Sequence, residues 1–274
     1  MEESFRELDL EGRICQEVKE RGEESEIKHF VFEDLLDTNE KLLCYSLDLS
    51  PFSVYFYLLK KEKSSLFSKE REKELGCYLG YRDGSLYTFE DLNFKIHSLE
   101  EFTLLTEAVE ITTGVSFFFE LCNLCKLPEK LPGELEVVLT LYSQQVSLLP
   151  PLVKFDQVAD ENKELLKLAV KGNEKAVEKL EREIGEEETK RLIKEVRKQP
   201  EELFDTCILS NGNSYSIVGI VTSVKKLSFQ GKELTSIELF SEELEFTVLS
   251  PVEVKISEGE RLKAHGKMFG IALT

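Results

Sequence analysis

Thr113 to Cys125 reads TGVSFFFELCNLC, and apolar side chains occupy Val115, Phe117, Phe118, Phe119, Leu121, Cys122, Leu124 and Cys125. Those positions leave no polar stripe at helical or at strand period. A helix that is apolar all round has to be buried, and this run is shorter than the ~20 residues that cross a bilayer. The stretch therefore predicts a buried central helix over 114–125, covered by sheet, within an α+β protein.

The rest of the chain can supply that cover. Its hydrophobic content of 41% supports packed cores rather than disorder, and 274 residues suffice for one large domain or a few smaller ones. The formal net charge is −18, unevenly spread. Residues 1–152 carry 16 Lys+Arg against 30 Asp+Glu; 153–206 carry 12 against 15; 207–274 carry 7 against 8. No segment is basic, which argues against nucleic acid as the partner, because such binding draws on neutralised phosphates. The acidic start, MEESFRELDLEGR, has no apolar run, and no membrane-spanning segment is found. With six cysteines and no secretory signal, the expectation is a cytoplasmic protein with free thiols and no membrane partner.

Read in order, residues 11–22 suit a short helix with Ile14, Cys15 and Val18 on one face and Gly22 after it. Lys28–Phe32 reads as a strand. Lys41–Leu49 and Phe52–Lys60 are β-rich runs broken at Ser50-Pro51, the second suited to a central strand covered on both faces. Residues 61–75 read as a charged loop. Asp83-Gly84 between β-rich runs predicts a hairpin. Ser98 and Glu101 make a capping box for a helix presenting Phe102, Leu105, Ala108 and Val109. Glu134–Tyr142 and Gln145–Leu149 read as a further hairpin, stopped by Pro150-Pro151.

The period then changes. Residues 160–198 are helical and amphipathic, with Leu165, Leu168 and Ala169, then Ala176, Val177, Leu180 and Ile184, then Leu192, Ile193 and Val196 sharing faces. Gly172-Asn173 and Gly185 divide them into three helices. From Tyr215 onward, short strands separated by turns, with Gly219 inside the first, suit a small oligonucleotide-binding (OB)-like barrel. Three segments are therefore expected: an α+β domain over 1–152, a helical connector over 153–206 and the barrel over 207–274. No sustained internal repeat is apparent in the sequence.

Four phrases carry a resemblance: GVSFFFELCN at 114–123, LYSQQVSLLPPLVK at 141–154, LLKLAVKGNEKAVEKL at 165–180 and LFDTCILSNGNSYSIVGIV at 203–221. In them the chain resembles a mainly clostridial bacterial family known as a domain of unknown function. The resemblance covers most of the chain, is loosest over 1–110, and implies no activity for any residue.

The chemistry is sparse. Cys122 and Cys125 form a C-x-x-C, but at the far end of an apolar run rather than at a helix start that would lower a thiol pKa. Without a second pair they make no zinc site. His29, His97 and His265 stand outside any metal motif, and phosphate-loop, dinucleotide and nucleophile-elbow signatures are missing. No cofactor, metal or catalytic residue is expected. The leading expectation is a non-enzymatic interaction or scaffold protein with an unidentified protein partner. The alternative is single-strand nucleic-acid binding by the barrel, with Tyr215 and Phe229 as stacking platforms and Lys225, Lys226, Lys263 and Lys267 supplying charge. Phe240 and Phe246 are expected in the core.

Overall fold

The Phe-rich stretch is a strand and not a helix. In the computed structural model Ser116–Leu121 is extended, and only Leu124–Lys126 makes a 3₁₀ turn. The strand lies in a sheet that is covered on both faces at its end, with Glu120 and Leu121 buried as well as Phe117 and Phe119. Burial on both faces removes the polar alternation that marks a strand, so pattern alone could not separate it from a buried helix. The structure describes residues 3–8, 10, 13–28, 35–61, 71–96, 102, 104–130, 132–152, 160–253 and 255–273.

Two short helices, α1 (Glu3–Glu7) and α2 (Ile14–Arg21), precede a four-stranded antiparallel sheet. Its strands are β1 (Glu23–Glu26), β2 (Glu40–Leu49), β3 (Phe52–Lys61) and β4 (Arg71–Tyr81), in that order. As expected, α2 buries Ile14, Cys15 and Val18, and β3 is the covered central strand. Arg71–Leu75, expected in a loop, belongs to β4; residues 62–70, 29–34 and the proposed capping box at 98–101 lie outside the described residues. Cys15 and Cys77 form a disulfide with Cα atoms 6.1 Å apart, which corrects the expectation that every thiol is free. The sequence separation of 62 hides a contact that arises because α2 lies on the sheet face carrying Cys77.

The second sheet has nine strands. β5 (Ser85–Lys95), β6 (Leu105–Glu110), β7 (Ser116–Leu121) and β8 (Leu135–Leu149) come before the helices α3 (Asp160–Val170), α4 (Glu174–Ile184) and α5 (Glu186–Lys198). β9 (Cys207–Asn211), β10 (Ser214–Phe229), β11 (Lys232–Ser241), β12 (Leu244–Ser250) and β13 (Arg261–Leu273) follow. The helix expected after Phe102 is therefore also wrong at Leu105–Glu110, where the side chains alternate between buried and half-buried. Nor is 134–149 a hairpin. It is one strand whose ladder to β13 skips a residue at His265/Lys267, where Ser143 Oγ donates to His265 O at 2.7 Å.

The pairings repeat. β5 pairs with β6, β6 with β7 and β5 with β8; β10 pairs with β11, β11 with β12 and β10 with β13, all antiparallel. β7 joins β13 in parallel and β12 joins β8 in parallel, while β8 and β13 pair with each other. One residue offset carries Tyr87 to Tyr215, Leu121 to Leu249, and the parallel pair Glu120–Phe269 to Val248–Leu141. The chain thus holds two four-strand units related by a pseudo-twofold through β8 and β13, a repeat the sequence alone did not disclose.

The first of these units ends at Leu149 and the second begins at Ser214, with the three helices and β9 between them in sequence. The units are nevertheless interlocked, since each closes its pairing circuit with the other's long strand, and one apolar core runs from Phe5 to Ala272. The three helices form as the glycines predict. Gly172 and Gly185 have φ of 91° and 87°, and the Asn173 side chain accepts from Ala176 N at 3.1 Å. The face of α3 is displaced by one position: Leu166, Ala169 and Val170 are buried while Leu168 is exposed. The helices pack on Cys207 of β9 and Val218 of β10 in a second core. Arg261 ties this insert down, its buried guanidinium donating to the carbonyls of Pro150, Glu201, Phe204 and Asp205. The described chain is thus α+β and mainly sheet.

Candidate functional site

Where β13 changes neighbour, the second sheet forks. Its residues up to Lys267 pair with β10, and Phe269 and Gly270 pair with β7. The start of β7 therefore leaves β10, and two side chains stitch the fork. Tyr215 Oη accepts the Phe118 N–H at 2.8 Å, and Asn213 Nδ2 donates to Glu120 Oε1 at 2.6 Å. Asn213 also accepts Met268 N–H on its carbonyl at 2.8 Å, so the β9–β10 turn is fixed from both sides.

Above the fork lies a cleft of about 890 Å³. Its floor is Ile208–Asn211 of β9 with Ser214–Ser216 of β10. Val115–Phe117 at the start of β7 form one wall, and Val170 and Lys171 at the end of α3 with Arg197 of α5 another. Glu242 and Leu244 of the β11–β12 turn close the end. The volume is within the range of ligand sites, ~300–1,000 Å³. β9 pairs only with β10 among the described strands, and its residues Ile208–Asn211 line the cleft. Gly212, at φ 59°, makes a two-residue hairpin closed by Asn211 and Ser214. The closing pair of such a hairpin exchanges its hydrogen bonds, and alternation then turns the N–H and C=O of Ser210 and Ile208 outward.

The charge at the cleft is locally distinct from the acidic whole. Glu242 is held by Lys167 at 2.8 Å and by Lys171, which consumes its carboxylate. Arg197 Nε donates to Val170 O at 3.0 Å and keeps the rest of its fork. Lys171, Arg197 and His265 thus border a cleft whose one lining carboxylate is already paired. Behind it, burial pushes Glu120 up to about 7 against the lowering bond from Asn213, and its Oε2 has no partner. Among the described residues no group of three or more His, Cys, Asp or Glu is arranged to hold a metal.

Of the residues named from sequence, Tyr215 reaches this cleft, but as a buried strut rather than a stacking platform. Phe229 is buried too, its ring 4.7 Å from that of Phe52. The lysines are not brought together. Lys263 pairs with Val218 of β10, and Lys225 lies about 23 Å farther along that strand at ~3.3 Å per residue. Each is also engaged: Lys225 with Glu238 at 3.3 Å, Lys226 with Thr235 Oγ1 at 3.0 Å, Lys263 with Glu201 at 2.8 Å. Burial lowers the pKa of Lys267. Phe246 is in the core as expected, whereas Phe240 faces solvent at 43% exposure because its neighbour Leu239 takes the inward position. Sequence reading missed the β9 edge, whose signal was the Asn-Gly-Asn turn. Lys171, Arg197 and Glu242 gave no signal, being joined only by the fold.

Comparison of the chain with family models, with curated proteins and with solved structures gives no match. No helix among the described residues is long and apolar enough to cross a membrane.

Proposed function

We propose that this is a non-enzymatic protein-interaction module that takes an extended segment of a protein partner along β9. The observation that carries the reading is that β9, whose second edge pairs with no described strand, lines a cleft of suitable size. An unpaired edge offers a row of N–H and C=O groups to an added strand, and alternate side chains of that strand then fall into neighbouring pockets. Lys171 and Arg197 favour a segment carrying an acidic side chain. We read the two pairing circuits as small barrels sharing β8 and β13, the one through β10 being OB-like, and the setting as the cytoplasm of a bacterium. The nucleic-acid alternative has less support, because its aromatic rings are buried and its lysines dispersed.

Selection of extended peptides from a random library on the full chain tests the reading. Ser210→Pro is the informative variant, since proline is tolerated on an edge strand yet removes an outward donor. Selected peptides are expected to slow amide exchange at Ile208 and Ser210 and to lose binding to Ser210→Pro. Peptides that bind the variant equally, or saturable binding of mixed-sequence oligonucleotides at physiological salt, would reverse it.

A further inference from the structure

The C-x-x-C motif does not act as a pair with itself. Its 3₁₀ turn sends the two sulfurs in different directions. Cys122 is fully buried and its Sγ lies 3.7 Å from Leu79 O of β4. Cys125 is partly exposed and neighbours the buried Cys44 of β2, each thiol shifting the pKa of the other. Two clamps fix this meeting. Tyr57, the cross-strand partner of Cys44, donates from Oη to Cys122 O at 2.6 Å and accepts Leu124 N–H at 2.9 Å. Asn123 exchanges two bonds with the Ala272 backbone, both 2.8 Å. The turn is held on one side by the first sheet and on the other by β13, and cannot swing Cys125 away without breaking four hydrogen bonds.

The surroundings divide the labour between the thiols. Cys125 is held below the usual thiol range, first by the neighbouring Cys44 thiol, against the opposing effect of burial, then by the nearby Lys126 and by Ser25. Burial pushes the Cys44 thiol well up, so it keeps its proton. A partly exposed thiol of lowered pKa beside a buried thiol that keeps its proton is the arrangement of an attacking and a resolving cysteine.

We propose that Cys125 and Cys44 form a thiol–disulfide exchange site whose substrate is a low-molecular-weight disulfide. The Cys125 thiolate attacks one sulfur of RSSR, forming Cys125–S–SR and releasing RS⁻. The Cys44 sulfur then attacks Cys125 Sγ; the mixed disulfide breaks, and the departing thiolate takes the Cys44 proton and leaves as RSH. Two cysteine thiols are oxidised to one disulfide, and RSSR is reduced to two thiols. Cys122 takes no part, and the Cys15–Cys77 bond lies on the opposite face of the first sheet, since Cys77 is in register with Phe56 and Cys44 with Tyr57, its neighbour along β3.

The test uses the intact purified chain incubated with oxidised glutathione, quenched by acid, alkylated and digested without reductant. The wild type is expected to fall from four free thiols to two and to yield a Cys44–Cys125 cross-linked peptide. Cys44→Ser is expected to stop at a stable glutathione adduct on Cys125, and Cys125→Ser to leave Cys44 unreacted. A Cys122–Cys125 cross-link in the wild type, four unreacted thiols, or an adduct on Cys44 in Cys125→Ser overturns the proposal. The wild-type measurement decides the matter even where a variant fails to fold.

Discussion

Asp83-Gly84 and Asn211-Gly212 stand at equivalent places in the two pseudo-symmetric units, each glycine three residues before a tyrosine of the strand that follows. They do opposite things. Gly212 has φ 59° with open space around it, and makes a true hairpin that folds β9 back on β10. Gly84 is not left-handed. A Cβ there would meet Thr140 Oγ1 at 2.3 Å and Leu139 O at 2.6 Å, so it is glycine because β8 passes against it. The chain before it, β4, does not fold back but joins the first sheet, burying Leu75 and Cys77–Tyr81. The half-exposed Cys207–Asn211 has no other sheet to enter. The apolar content of the preceding strand, not the turn dipeptide, decides whether a hairpin forms, and it leaves one unit capped and the other with an open edge.

The largest test of the comparison is to separate the units. The fragment 207–274 lacks β8, which pairs with both β12 and β13, so it keeps unmatched edges on two strands. It is expected to be unfolded by circular dichroism and amide exchange, and to regain structure when mixed with 1–206. A fragment that unfolds cooperatively on its own would show that the shared strands are dispensable and that 207–274 folds as a unit by itself.

Next comes a polar break in the symmetry. Glu120 of β7 stands where β12 has Val248. Its pKa rises from 4.5 to about 7, chiefly by burial. Because the folded value lies above the unfolded one, the folded state binds the proton more tightly. Stability is then greatest below about pH 4.5 and falls as pH rises to about 7, by ~3 kcal/mol from this group alone. Glu120→Gln keeps the bond from Asn213 and is expected to remove that slope in urea unfolding, leaving the variant the more stable at pH 8. A parallel pH profile for both proteins would show that Glu120 is solvated in the folded state.

These contrasts also explain what the sequence disclosed. The helices of 160–198 were legible because Gly172 and Gly185 divide them, Asn173 caps the second, and each keeps a polar face. The β7 stretch was not, because burial on both faces erased its period. The hairpins at 83–84 and 143–144 failed because turn chemistry is local, while Gly84 and Ser143 answer to long-range neighbours in β8 and β13. The candidate site was half legible. Tyr215 was visible; the edge of β9, the fork and the Cys44–Cys125 contact depend on which strands lie side by side, which no local pattern in the sequence marks. The repeat was hidden because the units share a topology but few side chains.

A smaller effect separates the two turns themselves. Gly84→Ala places a methyl into β8 and is expected to cost about 2–3 kcal/mol, the usual range for overpacking. Gly212→Ala meets nothing and is expected to cost about 1 kcal/mol, the strain of a left-handed alanine. Equal losses in urea unfolding, or a larger loss at Gly212, would mean that the two glycines serve the same backbone purpose after all.

The smallest effect lies at the far ends of the same units, in the β6–β7 and β11–β12 turns. The first is well built: Gly114 takes φ 67°, and the Glu110 carboxylate accepts from Thr112 N at 3.0 Å and Thr113 N at 2.7 Å. Burial pushes Glu110 up, but these bonds and the Thr113 hydroxyl outweigh it and leave its pKa below the usual value. The second turn places Glu242 and Glu243 at φ 51° and 70°, with no glycine. Glu242 has a reason to stay, since it binds Lys167 and Lys171. The exposed Glu243 forms no ion pair among the described residues and bears left-handed strain of ~1–2 kcal/mol. Glycine there relieves the strain but adds ~0.5–1 kcal/mol of unfolded-state entropy. Glu243→Gly is therefore expected to gain about 0.5 kcal/mol net, a rise in Tm of about 1–2 °C for a chain of this size, while Gly114→Ala loses about 1 kcal/mol. Calorimetry on both variants checks the pair. A Tm that falls in Glu243→Gly would mean that Glu243 holds a contact worth more than its strain, and that the turn bordering the cleft is built as carefully as its counterpart.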